Sequence, residues 1–275
     1  MHAGLGEPSG IPTVPGVPAS RTVVVVHDVG APVPGPPGEL IRGYRAVLAG
    51  SATVDLHLAE LGLRGVERFA PVLDPVPITH VGADEPTAHH LAVAVEGPLV
   101  LACGSLDPAG RPELVVEAHH VLVTYSMPSV NLVLVGPAPD AAHSAALRHL
   151  VHQLELRGCW LAGPVGLPEL AAFLARADAV VNVARWSAPL RTPLDPLVAG
   201  VPVVTRSGTS LAESSGDAAV VLPADAGPLL VAEAMDAVLT ESDLRRRLVD
   251  AGRRRVEATD LTTAREQLAS RILEL

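Results

Sequence analysis

From residue 98 onward the chain alternates short apolar runs with longer helical stretches, and that rhythm leaves it one class of fold. PLVLACG, NLVLVGPAP, CWLAGPVG, AVVNVAR, VPVVTR and AAVVLPA are short, rich in β-branched residues and mostly bounded by Gly or Pro, so they read as strands. Between them PELVVEAHHVLVTY, AAHSAALRHLVHQLELRG, LPELAAFLARA, TPLDPLVAG and LAESSG read as helical, and three more helices finish the chain. Strands that are apolar on both faces and joined by helices require right-handed βαβ crossovers and a parallel sheet. The expected fold class is α/β, Rossmann-like over 96–258, with helices on both faces.

The part before that rhythm is less regular. Residues 1–19, rich in Gly and Pro and without period, are expected to be a flexible leader. TVVVVHDVG reads as a buried strand, ELIRGYRAVLA and SATVDLHLAELG as helices, and VERFAPVLD as a short strand. Residues 70–95 read as a linker. With one full strand ahead of the linker, 20–95 is expected to be a truncated α/β portion, and 259–275 a terminal helix.

Composition narrows the chemistry. All 20 basic residues are Arg, which excludes lysine Schiff bases and a lysine ammonium at a phosphate. A net charge of −10 and only two each of Trp, Tyr and Phe argue against nucleic acid as the main partner. Cys103 and Cys159 lie in apolar runs and in no metal spacing, so they read as buried, reduced thiols. His89-His90 and His119-His120 are adjacent pairs whose members diverge; they read as surface residues, and no metal site is expected. No apolar stretch reaches the length of a membrane span and no signal peptide is evident, so a cytoplasmic protein is expected.

Ligands of parallel α/β sheets bind outside the carboxyl ends of the strands. That directs attention to HDVG at 27–30, GSLDPAG at 104–110, GPAP at 136–139, GPVG at 163–166 and ARWSAPLRTP at 184–193. Several segments here resemble family 4 glycosyltransferases, which are retaining enzymes of the GT-B fold. AGPVGLPELAAFLARADAVVNVAR is similar to that family's strand–turn–helix–strand signature. PLVAGVPVVTRSGTSLAESSGDAAVVLPAD is similar to its G-x-P-V-V … E … G-x-A-x-L-V tail, and LVLVGPAP to its L-x-L-V-G strand. VVVVHDVG resembles the strand bearing a His-Asp pair in the first domain, and SATVDLHLAELGL followed by PVLD the stretch that closes it.

The resemblance implies transfer of a hexose from a nucleotide-diphosphate sugar to an acceptor, with retention and without cofactor or metal. It implies an Arg and a Lys on the departing diphosphate and two Glu, eight positions apart, on the sugar and ribose. Anchored on Gly104 and on Gly200-Val201-Pro202, those four positions are Ser105, Gly110, Ser187 and Asp195. Asp195 alone keeps a carboxylate; Arg111 and Arg191 are candidate substitutes for the lost cations, and His27 matches a histidine near the reacting sugar. Each lost donor to a developing charge costs ~3–4 kcal/mol of barrier. Thr192-Pro193-Leu194-Asp195 also reads as a helix start, with Thr192 as its cap and free N–H groups toward phosphate. The alternative is a catalytically inactive homologue acting as scaffold or partner subunit, with a homo-oligomeric or hetero-partner contact covering the short N-terminal portion. An epimerase on the same architecture lacks a catalytic acid pair.

Overall fold

A computed structural model describes residues 2–4, 23–28, 46–49, 52–60, 63, 65–68, 96–185, 194–259 and 261–274. The chain forms two compact units, one of residues 1–74 with 259–275 and one of residues 75–258.

In the first unit four parallel strands lie in the order β1 (His2–Gly4), β2 (Val23–Asp28), β3 (Ala46–Ala49), β4 (Glu67–Arg68). Helix α1 (Ala52–Glu60) links β3 to β4 and buries Val54 and Leu58. Three expectations change here. The expected leader contains a strand at His2–Gly4, the rest of it lying outside the described residues. The portion read as having one full strand has a four-stranded sheet. The end of ELIRGYRAVLA, read as helix, is β3: its Ala and Leu favour helix, but pairing with Val23–Val26 on one side and Glu67–Arg68 on the other overrides propensity. The linker read at 70–95 lies outside the described residues.

The second unit carries a six-stranded, wholly parallel sheet in the order β10-β9-β8-β5-β6-β7. Its strands are β5 (Leu99–Cys103), β6 (Asn131–Val135), β7 (Cys159–Gly163), β8 (Ala179–Asn182), β9 (Val203–Arg206) and β10 (Ala219–Leu222). The helices between them are α2 (Pro112–Tyr125), α3 (Ala141–Gln153), α4 (Leu167–Arg176), α5 (Asp195–Val198) and α6 (Ser210–Ser215). Helices α7 (Pro228–Thr240) and α8 (Ser242–Glu257) follow β10.

The period of two along each strand divides the core into two layers. Val100, Ala102, Leu132, Leu134 and Val181 pack under Leu114, Leu122, Val231 and Met235 of α2 and α7. Leu99, Leu101, Cys103, Val133 and Val180 pack under Phe173 and Leu174 of α4, with Leu197 and Ala251. Each fully buried Leu or Phe contributes roughly 1.5–3 kcal/mol relative to exposure, so both faces are held firmly enough to fix the loops at the sheet's edge. Asp178 closes the opposite end: one oxygen accepts the Leu99 N–H at 2.9 Å and Arg176 at 3.2 Å, and Arg245 reaches its carbonyl at 2.9 Å.

The last helix, α9 (Leu261–Glu274), is grouped with the first unit. The expected terminal helix is present, but it belongs to the unit where the chain starts. The Arg271 guanidinium donates to both oxygens of Glu67 in β4, at 2.8 and 2.5 Å.

Candidate functional site

The second unit's strand order reverses at β5. The chain runs outward through β6 and β7, then returns to place β8, β9 and β10 on β5's other side. In parallel sheets of this kind ligands bind where the order reverses, here between the loops after β5 and β8. The Arg185 N–H donates to the Ala109 carbonyl at 2.8 Å, so these two loops meet directly. Buried Asn182, the last residue of β8, donates through Nδ2 to the Cys103 carbonyl, and its Oδ1 accepts the Ala184 N–H at 3.2 Å. This one side chain sets the spacing of the two strand ends.

The loop Gly104–Arg111 folds around its own acid. Asp107 accepts the Ser105 hydroxyl at 2.6 Å on one oxygen, and the Ala109 and Gly110 N–H groups at 2.9 Å on the other. Leu106 N–H donates to the Pro137 carbonyl at 2.7 Å, pinning the loop to the one after β6. Arg111 then adopts a left-handed backbone (φ 54°) that turns the chain into α2, where Pro112 enters the first turn. At Gly110 a Cβ would lie 1.7 Å from the Ser105 carbonyl oxygen. The position matched to the family's lysine therefore admits no side chain in this loop. A cavity of about 20 Å³, large enough for one water, lies behind it against Cys103, Ser105, Gly110, Asn182 and Val183.

Three arginines converge at this edge. Arg111 ends the β5 loop, Arg185 ends the described residues after β8, and Arg206 is the last residue of β9. Thr205 pairs with Asn182, which aligns the ends of β8 and β9. Arg206 is partly buried, and its Nε has no hydrogen-bond partner among the described residues. Burial lowers its pKa, and the charges of Arg111 and then Arg185 lower it further. Among the described residues no carboxylate is paired with any of the three. The adjoining segment 186–193, WSAPLRTP, contains no acidic residue and one more arginine. A site so loaded with positive charge fits an anion.

Of the residues expected at the site, Gly104, Ser105 and Arg111 share the β5 loop. Ser187, Arg191 and Thr192 lie outside the described residues. Asp195 opens α5 and is fully buried, close enough to Cys103 that its charge adds to the burial that pushes this thiol up to about 12. The helix start expected at Thr192 falls instead at Leu194 as N-cap, with no side-chain cap and Pro196 in the first turn. That helix is a single turn, too short for a useful dipole. His27 is the penultimate residue of β2.

Arg185 and Arg206 were not among the expected site residues, although VVTR ends a parallel strand on an arginine and NVAR places one three residues beyond a strand's end. His119, read as a surface residue, is wholly buried, its Nε2 3.0 Å from the Val130 carbonyl. Cys103 and Cys159 are free and buried as expected. The arginine runs of α8 are tied down as a solvated face: Arg246 to Asp243, Arg253 to Asp250 and Arg254 to Asp217, with Arg255 on the Glu213 and Ser214 carbonyls.

Comparison with known proteins agrees with this architecture. The family model described as glycosyl transferases group 1 matches residues 88–255. No curated protein matches the sequence significantly. Among solved structures, Anabaena HepE in complex with UDP and glucose is 17% identical with a TM-score of 0.72, covering 93% of this chain and 72% of that one. WaaG, a glycosyltransferase involved in lipopolysaccharide biosynthesis, is 18% identical with a TM-score of 0.66, covering 84% and 63%. An α,α-trehalose-phosphate synthase (UDP-forming) from Burkholderia vietnamiensis is 13% identical with a TM-score of 0.70, covering 92% and 69%. At these identities the likeness shows the fold, which is α/β and GT-B-like. Among the described residues no helix is long and apolar enough to cross a membrane.

Proposed function

Because the chain belongs to the glycosyl transferases group 1 family, we propose that it moves a sugar from a nucleotide-diphosphate donor to an acceptor, with retention and without a metal ion. The observation that carries this reading is the convergence of Arg111, Arg185 and Arg206 at the reversal beside β5, with no carboxylate paired to them among the described residues. A departing diphosphate gathers charge as the sugar–oxygen bond breaks, and preorganised cations at that point lower the barrier. The family resemblance assigns this task to an Arg and a Lys. Here Ser105 and Gly110 stand at those positions, and the arginines supply the charge from the two neighbouring strand ends and from Arg111. Arg206 is the principal diphosphate ligand in this scheme, since its buried Nε has no partner among the described residues and an anion would supply one.

The remaining roles follow the resemblance. By the family resemblance, the role proposed for His27 is at the reacting sugar. By the same resemblance Ser187, Arg191 and Thr192 are proposed donor-binding residues, and Gly104 lets the diphosphate come close to the backbone. Asp195, having no exposed surface, acts as a positioning residue that braces the turn into α5.

A second reading has its own observation. The Gly110 position admits no side chain and Asp195 is sealed in the core; both suit a homologue that keeps the fold as a scaffold or partner subunit. One experiment separates the two. Calorimetric titration with UDP, GDP and their sugar conjugates, without metal, is expected to give micromolar binding to one series. Arg206→Gln is expected to weaken it by at least about tenfold, as loss of a charged hydrogen bond does. Absence of binding to every one of them at millimolar concentration rejects the donor site and leaves the scaffold reading.

A further inference from the structure

We infer that the groove between α2 and α7 is a docking site for a basic amphipathic helix of a partner protein. It lies toward the end of α2 remote from the β5 loop, and it does not depend on the donor reading. Val121, Leu122, Tyr125, Leu229 and Ala232 line it, around a cavity of about 240 Å³. Tyr125 and Leu229 are 82% and 69% exposed, and the next residue, Leu230, is exposed as well. An aromatic ring and two leucines on neighbouring helices form a patch rather than scattered apolar residues, and such patches mark partner surfaces. The groove is preformed. Leu122, Val231 and Met235 seat both helices in one core layer, and the Ser126 hydroxyl donates to the Asp236 carboxylate from one helix end to the other.

Charge decides what the groove takes. Glu233 and Asp236 line it beside the apolar residues, and exposed Glu117 stands one turn before Val121 on α2. Neither helix carries a lysine or arginine. Among the described residues Glu117 and Glu233 make no ion pair. An apolar trough edged by unpaired acids matches a helix that lays leucine-type side chains into it and sets lysine or arginine against the rim. The same acids repel an anionic bilayer surface. A second copy would bring them face to face in an isologous contact. The chain's own basic helix, α8, exposes no large apolar side chain to fill the groove, and its Arg246, Arg253 and Arg254 are paired with acids.

The test is fluorescence anisotropy on the full chain with a labelled helical peptide, leucine on one face and lysine on the other, against a counterpart with glutamate in place of lysine. The lysine peptide is expected to bind, more weakly as salt rises, and the glutamate peptide not to bind. Leu229→Asp is expected to weaken binding on the order of tenfold or more, as removal of a central anchor does. Glu233→Lys combined with Asp236→Lys is expected to reverse the preference between the two peptides. The chain's net charge of −10 attracts any cationic peptide, so Glu257→Lys, an exposed charge change on α8, serves as control and is expected to leave binding unchanged. No binding, no loss in Leu229→Asp, or an equal loss in Glu257→Lys overturns the groove as the site. A dimer in light scattering that Leu229→Asp dissolves, or phosphatidylserine vesicles bound by the parent and not by Leu229→Asp, overturns the basic partner in favour of a second copy or a membrane.

Discussion

Gly110 shows what replacing a functional residue does to its surroundings. Its α-hydrogen faces the Ser105 carbonyl so closely that a Cβ would sit 1.7 Å from the oxygen, and the Asp107 clamp depends on that approach. Gly110→Lys therefore opens the loop rather than restoring a cation to it. The variant is expected to lose ~1–3 kcal/mol, as overpacked sites do, seen as a melting temperature lowered by roughly 2–4 °C per kcal/mol for a unit of this size. It is not expected to bind UDP more tightly. Tighter binding at an unchanged melting temperature would show that the loop still has room for the family's lysine. Ser105 and Arg111 were legible because the position of Gly104 after an apolar strand marks the loop in one dimension. Arg185 and Arg206 were not, because their proximity is created by the β8–β9 register and has no counterpart in sequence spacing. Their one local sign is an arginine at or just beyond the end of each of two successive apolar strands.

At the scale of elements, β5 to β10 and their helices were legible throughout, since strands apolar on both faces and amphipathic helices have different periods. The misreadings have physical causes. AVLA at 46–49 favours helix in isolation and becomes β3 through pairing on both sides. His119, in the polar-looking pair of α2, faces inward because α2 packs against the sheet, α7 and α3 and leaves little of its circumference to solvent. Its Nε2–H donates to the Val130 carbonyl that leads into β6, its Nδ1 has no partner among the described residues, and burial lowers its pKa. A histidine whose folded pKa lies below its unfolded value favours the native state while neutral. That contribution is present above the unfolded value near 6.5 and is lost as pH falls below it. The urea midpoint is expected to fall between pH 7.5 and pH 5, and to fall less in His119→Gln, which cannot be protonated. Parallel pH profiles for the two proteins would mean that His119 is not the group that acid acts upon.

For the molecule as a whole, the informative fact is where the chain goes after α8. Having built its second unit, it returns to the first, and α9 joins β4 through Arg271 and Glu67, 204 residues apart. Nothing in the sequence marks that return, because the pair has no shared periodicity and α9 reads like any amphipathic end. The two side chains are partly exposed, so the pair adds less to stability than its short distances suggest and weakens with salt. What it supplies is position, a two-pronged contact that fixes α9 against the edge strand β4. The Arg271 hydrogen bond holds the Glu67 carboxyl below the usual carboxylate range. Its contribution is therefore present above the unfolded carboxylate pKa and is lost as pH falls through the folded one. Arg271→Ala is expected to speed amide exchange across Leu261–Glu274 while leaving Pro228–Glu257 unchanged, and acidifying the parent protein should approach the same pattern. Uniform acceleration through α7 and α8 would mean that α9 opens together with the second unit. Unaltered exchange in α9 would mean that apolar packing alone holds the helix and that Arg271 serves only the surface.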